Sequence, residues 1–311
     1  DSFSQSTLNQ MRGFGGYGFP EAHAASFALL AYISAWLKNH MPEIYTTALL
    51  NSQPMGFYSC FQLIQDAKRH GVKVLSLDVQ QSNWDCTIEK YRDGKYALRL
   101  GLRIVKGLSA KAGCRIEKKR AMQPFKDLND LVVRAKLNRA ELQLLSKANA
   151  LETLVGNRHQ ANWKALGFRA PLPLLPPVIE EAATPLLPRP KEGEEVLADF
   201  ESIGLTLGRH PLALLRKHLI GDKLSSDLLE LAQGTRAKFS GLVVVRQKPS
   251  SAKGVIFLTL EDEMGPINVI IWPSLVNTYY NEVMHSRLLS ISGTVQREGE
   301  VVHLIAQALE D

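Results

Sequence analysis

The spacing of hydrophobic and polar residues divides the first half of the chain into helical and extended stretches. Apolar residues cover nearly every side of residues 22–37, a pattern typical of a helix buried inside a helical domain. Two helices, two short strands and a long return to helical spacing follow. The predicted boundaries are Pro42–Asn51 and Cys60–His70 for the helices, Val72–Leu77 and Tyr96–Leu102 for the strands, and 103–168 for the helical return.

The last part of the chain alternates between apolar and polar residues, as strands with one buried face do. A stretch that favours a helix, Pro273–Met284, separates the third strand from the fourth. Five short strands in this order predict an OB-fold barrel, and an unrelated five-stranded barrel is the alternative. The predicted strands are Lys238–Arg246, Val255–Glu261, Ile267–Trp272, Leu288–Gln296 and Val301–Ala308.

A proline-rich segment separates these two parts. Seven of the fifteen prolines fall within Pro171–Pro190, and the acidic residues Glu192, Glu194 and Glu195 follow directly. This composition predicts an extended acidic linker of low helical content. A short helical piece around Asp199–Ile203 is predicted after it.

Positive charge is concentrated in residues 103–147. Twelve Lys and Arg stand there against four acids, a local charge of +8, whereas the whole chain carries +6. A focused positive field of this kind suits a polyanion, most simply the phosphate backbone of nucleic acid. The alternative is a solvated helix face whose charges form salt bridges.

Two tight bends flank this basic segment. In the first, Gly107 lies between apolar neighbours and a helix begins near Ser109, as in a helix–hairpin–helix unit that presents backbone amides to a phosphate. In the second, Asn149 takes the position where glycine is preferred, before another helix to Ala165. We therefore predict sequence-independent backbone binding. The predicted contact residues are Val105, Lys106, Gly107, Leu108, Ser109, Lys111, Lys118, Lys119, Arg120 and Ala148, Asn149, Ala150 and Leu151.

The barrel offers a second candidate surface. Its basic residues gather near the first strand turn and include Arg246, Lys248 and Lys253. Phe257 and Trp272 are predicted to stack on bases of a single strand. The alternative is that strand alternation turns both rings into the barrel core.

The sequence contains no complete active site. The three cysteines are widely spaced and predict neither a disulfide framework nor a zinc site, which suits a reducing compartment. Phosphate-binding loops with Lys-Ser/Thr and Gly-x-Ser-x-Gly elbows are missing, and the acidic run Glu261–Glu263 is interpreted as a solvated turn. No stretch predicts a membrane span. We expect no catalytic residue, metal or cofactor in this chain, which begins at Asp1 and is predicted to be a fragment that binds without catalysing.

Several longer motifs resemble one protein family. Gly13–Ala28 looks like the fingers segment of bacterial C-family (DnaE-type) DNA polymerase alpha subunits. Ala48–Tyr58 and Asp78–Asp85 are similar to the error-prone branch, ImuC, and Gly204–Leu212 is similar to an element before the family's OB domain. The resemblance covers nearly the whole chain except the linker.

The resemblance implies an enzyme, a template-directed DNA polymerase whose metal-binding aspartates, Mg2+ and dNTP site lie upstream. It implies a cytoplasmic protein that binds primer–template duplex and single-stranded template and acts in DNA replication, DNA repair, translesion synthesis and damage-induced mutagenesis. The linker carries no clamp-binding peptide, so the resemblance implies recruitment by ImuB-like and ImuA-like proteins and only indirectly by the sliding clamp.

The predicted fold is therefore multidomain α+β, with a fingers remnant that has small strands, a tandem helix–hairpin–helix domain and a C-terminal five-stranded OB-fold barrel. The alternatives are a stand-alone, non-catalytic DNA-binding protein and a platform whose barrel docks a protein partner. The predicted domains are 1–101 for the fingers end, 102–168 for the tandem hairpins, 169–234 for the linker and connecting helices, and 235–311 for the barrel.

Overall fold

The computed structural model describes residues 21–56, 58–168, 187–299 and 301–311, with isolated residues at 5, 7 and 185. Residues 13–20 of the fingers motif, and most of the predicted linker 171–190, lie outside the described residues. The α+β class is confirmed. The chain divides into two compact units: Asp1–Leu145 with Asn149–Val155 and Phe168–Ile179, and the remaining residues through Asp311.

The first unit contains three helices, a small sheet and the helices of the basic region. Ser59 begins the third helix with a capping box, in which the Ser59 amide donates to Gln62 Oε1 (2.9 Å) and the Gln62 amide donates to Ser59 Oγ (3.2 Å). The elements are α1 (Glu21–His40), α2 (Pro42–Asn51), α3 (Cys60–Arg69), β1 (Lys73–Leu75), β2 (Thr87–Lys90), β3 (Tyr96–Arg99), α4 (Ala110–Met122), α5 (Leu128–Ala135), α6 (Arg139–Lys147) and α7 (Glu152–Val155).

The small sheet has the order β1-β3-β2, in which β3 is parallel to β1 and antiparallel to β2. Ala97 and Leu98 of the central strand are fully buried. The two strands predicted from the sequence are therefore present, each three residues shorter than expected.

The burial predicted for the first helix is not found among the described residues. Phe27, Leu29, Leu30 and Tyr32 of α1 are between 55% and 70% exposed. An apolar helix is buried only where other segments of the protein pack against each side of it. The described residues leave these side chains uncovered.

The second unit begins with the helix α8 (Arg158–Gly167), followed by α9 (Glu192–Ser202), α10 (Pro211–Leu215) and α11 (Ser225–Leu228). The acidic residues that were predicted to continue the extended linker instead form the first turn of α9. The helix dipole favours carboxylates at this end of a helix. The 4% exposed side chain of Arg158 joins the two helices, with ion pairs to Glu195 (2.8 Å) and Asp199 (2.5 Å). The extended-linker prediction is therefore wrong for residues 192–195, and the short helix predicted around Asp199–Ile203 is the end of a longer helix.

The C-terminal residues form a closed barrel with the strand order β4-β5-β6-β8-β7, which is the predicted OB fold. Gly293 permits close packing, since a Cβ there would lie 2.4 Å from the Ile305 carbonyl oxygen. The barrel core is lined by alternate residues of the strands, such as Leu258, Val269 and Leu304. The elements are β4 (Arg236–Gln247), β5 (Ile256–Glu261), β6 (Pro266–Ile271), α12 (Pro273–Thr278), α13 (Tyr280–His285), β7 (Leu288–Glu298) and β8 (Val301–Glu310).

The acidic turn after β5 is not solvated as expected. Glu261 and Asp262 are 3% and 1% exposed. Asp262 accepts hydrogen bonds from the Ser225 amide and hydroxyl and from the amides of Met264 and Gly265. The carboxylate is buried because its own turn and Ser225 of α11 supply the donors that water would otherwise provide.

Candidate nucleic-acid interface

The first bend of the basic region, residues 105–109, has the geometry expected of a phosphate-binding hairpin. Val105 and Leu108 are 2% and 7% exposed and fix the two ends of the bend in the core. The Leu108 amide donates to the Val105 carbonyl (3.2 Å), and Gly107 between them has φ +81°. Only glycine adopts this backbone angle without strain, so the residue type and the bend match.

The helix α4 starts directly after this bend. Ser109 Oγ caps it by accepting from the Ala112 amide (3.2 Å). The preceding amides of Ala110 and Lys111 have no acceptor inside the helix, as at every helix start. Lys106 and Lys111 are exposed on either side. Backbone donors and two ammonium groups thus occur together at a helix N-terminus, which suits an anion.

Helical phase separates the cations of α4 into two faces. Lys111 and Lys118 are seven residues apart and exposed, with Cys114 between them on the same side. Lys119 is half-buried at the edge of this side. We call Lys111, Lys118 and Lys119 the lysine face.

Arg120 lies on the opposite, inner side of α4, four residues after the fully buried Ile116. Its guanidinium donates to the carbonyls of Val79 (3.0 Å) and Ser82 (2.5 Å) and to Asn83 Oδ1. Burial lowers the pKa of this guanidinium. Its three acceptors give Arg120 a scaffold role, and its part in the DNA surface stays a prediction.

Other arginines of the basic region are also bonded within the protein. Arg103 pairs with Asp85 (2.7 Å), Arg115 with Glu141 (2.9 Å) and Arg134 with Asp130 (2.9 Å). The salt-bridged alternative is therefore correct for these three. Among the described residues, six lysines of the region make no side-chain hydrogen bond or ion pair, namely Lys111, Lys118, Lys119, Lys126, Lys136 and Lys147. The charge available to a polyanion is mainly lysine charge.

The second bend, residues 148–152, has the predicted backbone but a closed environment. Asn149 has φ +55°. Ala150 is fully buried, its amide donates to the Leu145 carbonyl (3.0 Å), and its carbonyl accepts from the Val79 amide (2.9 Å). Asn149 Nδ2 donates to Glu152 Oε2 (3.0 Å), which adds an exposed acid to the bend.

The helix after this bend is also shorter than predicted. It stops at Val155, and Gly156 at φ +99° separates α7 from α8. The predicted continuous helix to Ala165 is therefore wrong, because the backbone at Gly156 leaves the helical region.

A loop before the basic region connects the two bends, and sequence reasoning missed this role. Within residues 78–83, the Val79 carbonyl accepts from the Arg120 guanidinium, and the Val79 amide donates to the Ala150 carbonyl. Asp78 Oδ1 accepts from Thr153 Oγ1 (2.9 Å). Polar side chains in a short loop, such as Asp78, Ser82 and Asn83, were the available signal.

The outer face of β5 and β6 presents the predicted aromatic residues. Phe257 is 36% exposed and pairs with Ile270, and Trp272 is 53% exposed where β6 ends. The alternative that both rings enter the barrel core is therefore excluded. Lys248 and Lys253 are exposed in the turn between β4 and β5, whereas Arg246 donates to the Ser286 carbonyl (2.8 Å). Burial lowers the pKa of Arg246.

Comparisons with known proteins find both kinds of domain in the chain. Residues 71–161 match the helix-hairpin-helix motif, and residues 237–311 match the OB-fold nucleic acid binding domain. Error-prone DNA polymerase of Alkalilimnicola ehrlichii is 49% identical over 100% of this chain, and that of Burkholderia pseudomallei is 50% identical over 99%. The corresponding protein of Methylococcus capsulatus is 46% identical over 100% of this chain.

The chain is homologous to error-prone DNA polymerases. It spans 30% to 32% of the length of these relatives and matches their C-terminal part. Among solved structures, the second OB-fold domain of replication protein A from Methanococcus maripaludis is 20% identical over 29% of this chain and 92% of its own, with a TM-score of 0.23.

The described part of the chain contains no group of three or more His, Cys, Asp or Glu side chains that could hold a metal ion. The acidic turn at 261–263 does not fit Mg2+, because Asp262 is occupied by four donors and Glu263 is paired with Arg216 (2.7 Å). Within the same described residues, no helix has the length and apolar character needed to cross a bilayer.

Proposed function

We propose that this chain is the DNA-holding part of an error-prone, template-directed DNA polymerase. The observation that carries the proposal is the first bend, where exposed lysines and helix-start amides surround Gly107. A surface of this kind binds the sugar–phosphate backbone and is indifferent to sequence. Such binding suits a polymerase, which must hold every primer–template duplex alike.

The barrel supplies the second part of the proposal, binding of single-stranded template. OB folds bind oligonucleotides on the face of their second and third strands and on the adjoining loops. Phe257 and Trp272 lie on or beside this face, and Lys248 and Lys253 lie in the loop between the first two strands. Stacking of bases on these rings, with lysines near the phosphates, follows from this arrangement.

The chemistry of the whole protein is proposed from its relatives. Nucleotidyl transfer from dNTPs with Mg2+ belongs to the rest of the relatives' length, since the acidic residues described in this chain do not fit the metal. We extend the proposal to translesion synthesis and damage-induced mutagenesis in the cytoplasm during DNA repair and replication. Recruitment by ImuB-like and ImuA-like partners, and indirectly by the sliding clamp, is part of the same proposal.

The binding proposal is tested by measuring the affinity of the full chain for two labelled primer–template duplexes of unrelated sequence. Equal affinities at low salt, together with no nucleotide incorporation by this chain alone, are expected. A strong preference for one sequence would contradict backbone binding. If single strands do not bind the barrel surface at low salt, the barrel instead docks a protein.

A further inference from the structure

The OB barrel contains a cavity that the surface described above does not use. Its volume is about 430 Å³, within the usual range of small-ligand sites. It lies where the turn between β5 and β6 approaches α11 and the start of β8. Its lining includes Ser225, Ser226, Leu229, Met264, Asn268 and Val301.

The cavity continues the outer face of β5 and β6. The strand register pairs Thr259 with Asn268 and Phe257 with Ile270. Because side chains two residues apart share a face of a strand, Asn268 and Ile270 face the same way, toward the side on which Phe257 is exposed. Four residues separate Asn268 from Trp272, roughly 13 Å along the strand. The cavity and the tryptophan therefore mark opposite ends of one binding face.

The chemistry of the cavity suits a neutral, flat group with a polar edge. Met264, Val301 and Leu229 provide apolar walls and are each more than half exposed. Asn268 Oδ1 accepts from Thr259 Oγ1 (3.4 Å), which leaves the Nδ2 group as a donor. The lining carries no charged side chain, which argues against a phosphate.

An unpaired polar atom lies on the same side of the barrel. His303 precedes Ile305 by two residues on β8, and Ile305 pairs with Ile270. The Nδ1 atom of His303 is buried and bonds to no described atom of the protein. That atom has no exposed surface and His303 does not line the cavity, so Asn268 is the side-chain hydrogen-bonding partner for a ligand at this end of the face.

We propose that this cavity takes one unstacked nucleobase of the single strand bound along the β5–β6 face. This inference rests on the proposed function, because the strand must first bind that face. A base satisfies the requirements together: its ring fits between apolar walls, and its edge accepts from Asn268 Nδ2. The cavity thereby fixes the position of the strand on the barrel.

The test uses the full chain and a primer–template with a 5′ overhang about as long as one OB-fold binding site, so that few alignments of the overhang on the barrel are possible. One nucleotide at a time is replaced by an abasic site, and affinity is measured. We expect one position to lose about five- to tenfold more than its neighbours, the effect of one buried base. In the variants Asn268→Ala and Gly265→Val, an abasic site at this position should cost no more affinity than one at a neighbouring position. Gly265 has space for a side chain, since the nearest atom to a Cβ there is Ser225 Oγ at 3.7 Å.

Asn277→Ala, an exposed asparagine on α12 outside this face, is the matched control and should behave as wild type. Trp272→Ala should weaken overhang binding, but the same abasic position should still lose more affinity than its neighbours. If all abasic positions are equivalent while Trp272→Ala still weakens overhang binding, the cavity proposal is overturned and the proposed function stands. If the overhang adds nothing to duplex affinity, the cavity proposal and the proposed single-strand binding by the barrel are both overturned, whereas duplex binding at the first bend stands. The abasic scan of the wild-type chain decides even where a cavity variant fails to fold.

Discussion

Residues 105–109 and residues 148–152 form two bends that each contain a residue at positive φ, Gly107 at +81° and Asn149 at +55°. At the first bend, the residues around the glycine are exposed lysines and the start of a long helix. At the second, the buried Ala150 uses both its amide and its carbonyl within the protein, and the exposed Glu152 brings negative charge. Similar backbone shapes thus have different capacities to bind an anion.

This difference teaches that hairpin geometry alone does not define a phosphate site. The second bend holds Val79 through a backbone hydrogen bond, and the carbonyl of Val79 accepts from Arg120 of α4. Its contacts support the loop on which the helix of the first bend rests. We therefore interpret the first bend as the binding element and the second as its support.

The largest expected effect concerns that support. Arg120→Ala leaves three acceptors on residues 79–83 without their donor and should lower the free energy of unfolding by roughly 3 kcal/mol. Urea denaturation measures this change. The neighbouring Lys119→Ala, which breaks no hydrogen bond, should stay within about 0.5 kcal/mol of wild type. If Arg120→Ala folds with full stability and loses only DNA affinity, Arg120 belongs to the binding surface after all.

The two bends can be compared directly with matched alanine substitutions. Gly107→Ala and Asn149→Ala both place alanine at positive φ, which should cost about 1 kcal/mol of stability each. Only Gly107→Ala should weaken duplex binding, by about tenfold, because it disturbs amides at the anion-binding helix start. Fluorescence anisotropy measures both affinities. Equal losses would mean that both bends bind DNA.

A smaller effect is expected at Cys114, which lies between Lys111 and Lys118 on the exposed side of α4. Bound duplex should protect this thiol from alkylation several-fold, since reaction requires access to the sulfur. Cys86 is the internal reference, because burial raises its pKa to about 11 and leaves it protonated at pH 8. Mass spectrometry of alkylated peptides follows both sites. Unchanged labelling of Cys114 under saturating duplex would place the DNA elsewhere.

Much of the fold could be predicted from the sequence because periodicity determines which residues face a core. The alternation predicted five barrel strands with approximately correct ends, and Gly107 and Asn149 identified the bends because few residues tolerate positive φ. These features are local, so a single sequence contains them.

The roles of the charged residues could not be predicted in the same way. Arg120 reaches acceptors 37 to 41 residues earlier in the chain, and Arg158 reaches carboxylates 37 to 41 residues later. A count of charged residues along the sequence treats such arginines as exposed to solvent, because it does not show which of them bond within the protein. Helical phase was a partial signal, since Arg120 follows the apolar Ile116 by four residues and therefore shares its face. Asp262 gave no comparable signal, because its donors come from its own turn and from α11.

The salt dependence of duplex binding tests the central claim most directly, namely that exposed lysines at the first bend bind the phosphate backbone. If Lys106 and the lysine face neutralise about four phosphates, log K against log salt concentration should slope near about −3.6. The triple variant Lys111→Gln, Lys118→Gln, Lys119→Gln should reduce the slope to about −0.9. Lys90→Gln with Lys95→Gln, exposed on the small sheet, is the control and should leave it unchanged. A triple variant that keeps the wild-type slope would contradict this account.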